Sequence, residues 1–128
     1  MAKQWSDPSI LKALPNPSTN EYEIRIVNPE ITFLGAPNQP DFATLYITYC
    51  PDAKIIELKA LKLYFYQFRN TLVSYERLVN VVFQDIMNVY QPKRLMLTMV
   101  FRTRGGMDST LTIDSVSQQN NKPLKNEN

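Results

Sequence analysis

Two residue types narrow the chemistry open to this chain. It has no histidine at all and a single cysteine, Cys50. Nucleophile pairs of the Ser-His and Cys-His kinds are therefore excluded, as are zinc sites assembled from several Cys and His ligands. One thiol cannot form an intramolecular disulfide, so nothing in the sequence indicates a secreted, cross-linked scaffold. Catalysis must rest on carboxylates, Lys, Arg, Tyr, backbone groups or Cys50 itself. That thiol closes an alternating apolar segment, where its simplest reading is a small strand residue.

The elements that must position such groups follow from length and patterning. A chain of 128 residues, 44% hydrophobic and 20% charged, suits one soluble domain with a modest core. Fourteen Lys and Arg against twelve Asp and Glu give a net charge of +2, too balanced to indicate nucleic acid or an acidic membrane. No apolar run approaches the ~20 residues of a bilayer span, and the N-terminus lacks an apolar signal core. A cytoplasmic location is the expectation. The abundant Tyr and Phe suit a core together with a subunit interface.

Residues 1–20, with Pro8, Pro15 and Pro17, read as an extended arm. Alternation predicts strands at 21–27 and 41–50, joined by a long loop over 31–40 that holds Gly35, Pro37 and Pro40. Leu61, Tyr64, Phe65 and Phe68 then fall on one helix face. A longer helix follows Ser74, its predicted N-cap, with Leu78, Val82, Ile86 and Val89 as its stripe and Pro92 as its stop. Strands over 95–101 and 109–113 flank a turn at 103–108. The tail over 115–128 has little to bury and reads as disordered. The ββααββ order predicts an α+β domain over 21–114, with an antiparallel sheet, two helices on one face, and edges that self-association would cover.

Several stretches carry a resemblance. Gln39-Pro-Asp-Phe-Ala-Thr-Leu-Tyr-Ile-Thr-Tyr49, Glu57-Leu-Lys-Ala-Leu-Lys-Leu-Tyr64, Phe68-Arg-Asn70 and Arg104-Gly-Gly106 resemble the 7-cyano-7-deazaguanine (preQ0) reductases of queuosine biosynthesis. These are the QueF-type nitrile reductases of the tunnelling fold. The resemblance implies a ββααββ subunit, pentameric rings that stack into decamers, and pockets at subunit boundaries. It also implies reduction of a nitrile to an amine with NADPH. There a cysteine thiolate adds to the nitrile carbon, a nearby Asp supplies protons, and two hydride transfers follow.

Carried over residue by residue, Asp41 takes the general-acid position. Its structural alternative is a strand-start carboxylate bonding local N–H groups. Glu76 takes the position that anchors the purine edge, since a carboxylate accepts two hydrogen bonds from a guanine-like N1–H and 2-amino group. A helix-start role for Glu76 is compatible with that. Lys59, Lys62, Arg104, Gly105 and Gly106 match the positions suited to NADPH phosphates, with a solvated surface as their alternative. The nucleophile position departs from the pattern. In Pro29-Glu-Ile-Thr-Phe-Leu-Gly-Ala-Pro-Asn-Gln-Pro40, Gly35 stands where the family has its cysteine, and the segment is one residue shorter; counting back from Gln39 would place Leu34 there instead. The family's histidine is Tyr75 here, and a second family cysteine is Leu78. Cys50 lies at the far end of the Asp41 strand, about 30 Å away at strand rise.

Three readings stay open at this point. The chain could bind a 7-deazaguanine base with its reductase chemistry lost or altered, as a homo-oligomer or in a mixed ring with an active relative. It could do different chemistry on a related pterin or deazapurine. Or it could be an active NADPH-dependent reductase using another route. Direct nucleic-acid contact and a metal are not indicated.

Overall fold

The computed structural model describes residues 3–119. Its centre is β3 (Gln39–Cys50), where strict alternation buries Asp41, Ala43, Leu45, Ile47 and Tyr49 and turns Phe42 and Tyr46 outward. To one side β3 pairs with β2 (Ile24–Ala36). On the other it pairs with β5 (Arg94–Arg104), which pairs in turn with β6 (Met107–Asp114). All three pairings are antiparallel, in the order β2-β3-β5-β6. The α+β class and the antiparallel sheet read from the sequence are thus observed.

The long loop expected over 31–40 is instead the second half of β2, closed by a two-residue turn at Pro37-Asn38. Asn38 takes the left-handed conformation that such a turn requires (φ 59°). Of the residues that suggested a loop, Pro37 falls in that turn, Pro40 in β3 and Gly35 at an irregularity of an edge strand. Pairing shifts between Asn28 and Ile31, around Pro29, and again between Leu34 and Ala36, around Gly35. Between those shifts Ile31 and Phe33 remain on the buried face. The turn expected over 103–108 also tightens, to Gly105-Gly106, whose φ values of 58° and 76° favour glycine.

Helices cover one face of the sheet. α1 (Leu58–Tyr66) runs into a 3-10 turn at Gln67–Asn70, and α2 (Tyr75–Tyr90) follows. Glu57 caps α1 by accepting from Ala60 N at 2.6 Å, and Ser74 caps α2 by accepting from Arg77 N at 3.1 Å. α2 ends where Gln91 turns left-handed (φ 48°) and its N–H returns to Met87 O. Leu61, Tyr64 and Phe65 of α1 and Leu78, Val82 and Ile86 of α2 join Leu45, Ile47, Leu97 and Met99 in one core. Each large side chain so buried contributes roughly 1.5–3 kcal/mol.

The segment expected to be an extended arm is partly ordered into elements. A 3-10 turn spans Pro8–Ile10, and β1 (Ala13–Pro15) pairs with β4 (Lys54–Ile56). Ser6 Oγ and Tyr64 Oη both donate to Asp85, which ties this segment to both helices. Of the tail expected to be disordered, Ser115–Gln119 forms a short helix, α3, and 120–128 lie outside the described residues. Ser115 Oγ accepts from Leu95 N at 2.9 Å, a bond to the end of β5 that the polar composition did not disclose.

Candidate functional site

Asp41 is the buried carboxylate of the sheet, 4% exposed, on the core-facing side of β3 near its start. A charge in that position must be met by donors. Tyr75 Oη donates to Oδ2 at 2.7 Å, Arg104 Nε to Oδ1 at 3.2 Å, and the Phe42 N–H to Oδ1 at 2.8 Å. Arg104 Nη2 also donates to Pro40 O at 2.8 Å, so the guanidinium spans the carboxylate and the adjoining backbone.

Each partner is delivered by a local feature. Simple alternation from Phe101 would turn Arg104 to the outer face. The pairing shift between Phe101 and Arg104 re-aims it toward Asp41. Tyr75 opens α2, and the preceding segment is strapped to β2: Leu34 N donates to Thr71 O, and Val73 N to Leu34 O. The Tyr75 ring then stacks on Phe101 at 3.9 Å between centroids and meets Phe33 edge-on at 5.8 Å. Burial, followed by the hydrogen bond to Asp41, raises the Tyr75 hydroxyl above the usual tyrosine range. The phenol is therefore held protonated, as a donor.

Gly35 faces this group. A β-carbon there would lie 3.1 Å from Asp41 Oδ2 and 3.3 Å from Asp41 Cβ. Gly35, Ala36, Gln39, Asp41, Tyr75 and Arg104 line one cavity of about 260 Å³. Three residues singled out separately in the sequence, Gly35, Asp41 and Tyr75, thus meet in one place. Arg104 joins them, although the resemblance suggested cofactor phosphates for it. Gln39, Ala36 and the Phe101 platform were not foreseen. The pairing of β2 with β3 sets Ala36 opposite Gln39, and that of β3 with β5 brings Phe101 opposite Ala43, 58 positions away.

The other candidates lie elsewhere. Glu76 is exposed on the first turn of α2, next to Tyr75 but outside the lining of that cavity. Lys59 and Lys62 are exposed on α1, and Lys62 lines a separate cavity of about 260 Å³ between α1 and β2. Gly105 and Gly106 form the turn after Arg104. One chain therefore does not gather Lys59, Lys62 and Arg104 around a dinucleotide. Cys50 is half-buried at the opposite end of β3, and its odd spacing from Asp41 puts it on the other face of the sheet. It does not reach the Asp41 cavity. Among the described residues no helix is long and apolar enough to cross a membrane.

A four-stranded antiparallel sheet with two helices on one face makes this an α+β domain of the tunnelling-fold kind. Comparison with solved structures agrees. The apo form of the archaeosine synthase QueF-Like superposes with a TM-score of 0.64, covering 72% of this chain and 91% of that one; at 13% identity the likeness is one of fold. The family described as QueF-like protein matches residues 40–120. The NADPH-dependent 7-cyano-7-deazaguanine reductase of Parabacteroides distasonis is 41% identical over 107 residues, which span 82% of this chain and 68% of that protein. The protein of the same name from Chlorobaculum parvum is 38% identical over 112 residues, 86% of this chain and 97% of that protein. Across such relatives the matched part spans between 63% and 97% of their length. The chain belongs to the QueF-like protein family.

Proposed function

We propose that this chain binds a 7-deazaguanine base of the 7-cyano-7-deazaguanine type, and that nitrile reduction through a thiol adduct is lost or altered in it. The observation that carries the proposal is Gly35. It faces Asp41 at contact distance and offers no side chain, while the single thiol stands at the far end of β3 on the other face. A nitrile is a poor hydride acceptor until a nucleophile has added to it, and this cavity has no thiol to add. Asp41 is bound up by Tyr75 and Arg104, which suits a fixed acceptor better than a proton donor.

Glu76 is the group proposed to take the base edge, because its carboxylate projects from α2 uncommitted to any cation among the described residues. The relatives are named NADPH-dependent. Binding of NADPH here is proposed only across a junction of two copies, where the lysines of one α1 could meet the Arg104 turn of another. Exposed Leu58, Leu63 and Tyr66 on α1, the edge of β6, and the edge of β2 ahead of its strap at Leu34 support such an association.

Calorimetry with 7-cyano-7-deazaguanine tests the binding half. The expected result is saturable binding that Glu76→Ala weakens about 100-fold, as loss of a paired charge-assisted contact does. An absence of binding by the native chain would overturn it. Following NADPH absorbance with the nitrile present tests the other half. No turnover is expected from the native chain or from Gly35→Cys, since the added side chain would crowd Asp41. Turnover by the purified native chain would refute the proposed loss, and turnover restricted to preparations carrying a cysteine-bearing relative would identify a mixed ring.

A further inference from the structure

On the face of the sheet away from the helices lies another cavity, of about 530 Å³, whose chemistry is unlike that of the Asp41 site. Its lining includes Arg69, Arg102, Phe42, Thr32, Thr44 and Glu30. The two arginines come from distant parts of the chain, one from the 3-10 turn after α1 and the other from β5. Each is oriented by an aromatic ring. The Arg69 guanidinium lies 3.9 Å from the Tyr66 ring centroid, and that of Arg102 lies 5.1 Å from the Phe42 ring centroid. Stacking holds a guanidinium through its flat face and leaves the in-plane N–H donors unspent.

Neither arginine forms a salt bridge among the described residues, whereas Arg25, Arg94 and Arg104 each do. Two pre-oriented forks without a salt bridge around one concavity, with the Thr44 hydroxyl beside them, make a receptor for a tetrahedral oxyanion. We propose that this cavity is an anion site for a small phosphorylated ligand, with the phosphate held by Arg69 and Arg102. The Phe42 ring and Val100 supply an apolar wall for whatever carries the phosphate. Glu30, on the same lining, opposes the bound charge and keeps the site selective for a ligand that engages both arginines. This site shares no residue with the Asp41 cavity or with Glu76, so it stands or falls independently of base binding; Tyr66 and β2 are common to it and to the proposed junction of two copies.

Titration calorimetry with inorganic pyrophosphate is the test, at constant ionic strength with chloride as the competing anion. Arg69→Gln and Arg102→Gln are each expected to weaken binding about 10-fold, the loss of one charge-assisted fork. Glu30→Gln should tighten it several-fold. Arg25→Gln removes the same unit of charge without touching the cavity and should change it less than about 2-fold, the residual screened field. Glu76→Ala should leave pyrophosphate binding unchanged, which separates this result from the base-binding experiment. No saturable binding at millimolar pyrophosphate would overturn the proposal. So would equal losses in the Arg25 and Arg69 variants, which would mark a diffuse charge effect.

Discussion

Asp41 and Glu76 are both acidic and both sit near the start of α2, yet the chain treats them oppositely. The first is 4% exposed and receives hydrogen bonds from Tyr75, Arg104 and the Phe42 backbone. The second is exposed, with no cation bound to it among the described residues. One carboxylate is held by three donors of its own chain, and the other keeps its acceptor capacity available. A group in the first state serves architecture and shapes a cavity wall. A group in the second state costs little to leave free and can be filled by a ligand.

Removing each carboxylate is the strongest way to break the comparison. Asp41→Ala strands the Tyr75 hydroxyl and leaves Arg104 to rehydrate. Arg104 is 51% exposed, so its share of the loss is small and the buried bonds dominate. The expected destabilisation is about 2 kcal/mol, seen as a fall in Tm of about 4–8 °C for a domain of this size. Glu76→Ala should cost no more than about 0.5 kcal/mol, the loss of an acidic group from a helix first turn. Equal losses in thermal denaturation would show that Glu76 is also structurally committed.

Tyr75→Phe sharpens the contrast within the Asp41 group. It keeps the stack on Phe101 and deletes only the hydroxyl that reaches Oδ2. The expected cost is about 1 kcal/mol at neutral pH. Its pH dependence carries a definite sign. Burial first, and the bond to Asp41 second, raise the folded-state value for Tyr75 above that of the unfolded chain. Its contribution is therefore complete below the ordinary tyrosine range near 10 and declines as pH rises through the folded value. Buried Tyr64 and Tyr90 are raised as well. The informative measurement is thus the stability difference between the native chain and Tyr75→Phe, followed from pH 8 upward. That difference should shrink with alkalinity, and a constant difference would mean that the hydroxyl does not bear on Asp41.

How much of this was legible in the sequence depended on range. The alternation of β3, the Ser74 cap and the stripe of α2 are encoded within a few residues, and the structure contains them. Gly35 misled because a loop and an irregular edge strand use the same residue type, and only the pairing of β2 with β3 distinguishes them. The contact of Arg104 with Asp41 was hidden for a different reason. Its aim is set by a pairing shift in β5, and no local pattern of residue types announces such a shift. Tyr75 stood beside Glu76 in the sequence reading, but its role on Asp41 needed the strap of Thr71–Val73 on β2.

The smallest effect is also the most discriminating. Gly35→Ala adds one methyl group opposite Asp41, at a position where the backbone φ does not itself call for glycine. Loss of unfolded-state freedom would make that change stabilising by about 0.4–1 kcal/mol if space allowed. Here the new carbon would meet Oδ2 at 3.1 Å, and Oδ2 is fixed by the Tyr75 hydroxyl. Asp41 cannot give way without straining that bond, so the net outcome should be a loss of about 0.5 kcal/mol. In an Asp41→Gly background both the Oδ2 and the Cβ contacts are gone, and the same substitution should become stabilising. A double-mutant cycle by denaturant unfolding therefore reads the rigidity of Asp41 directly through a change of sign. If Gly35→Ala has the same sign in both backgrounds, Asp41 is free to move, and the contrast with Glu76 reduces to one of burial alone.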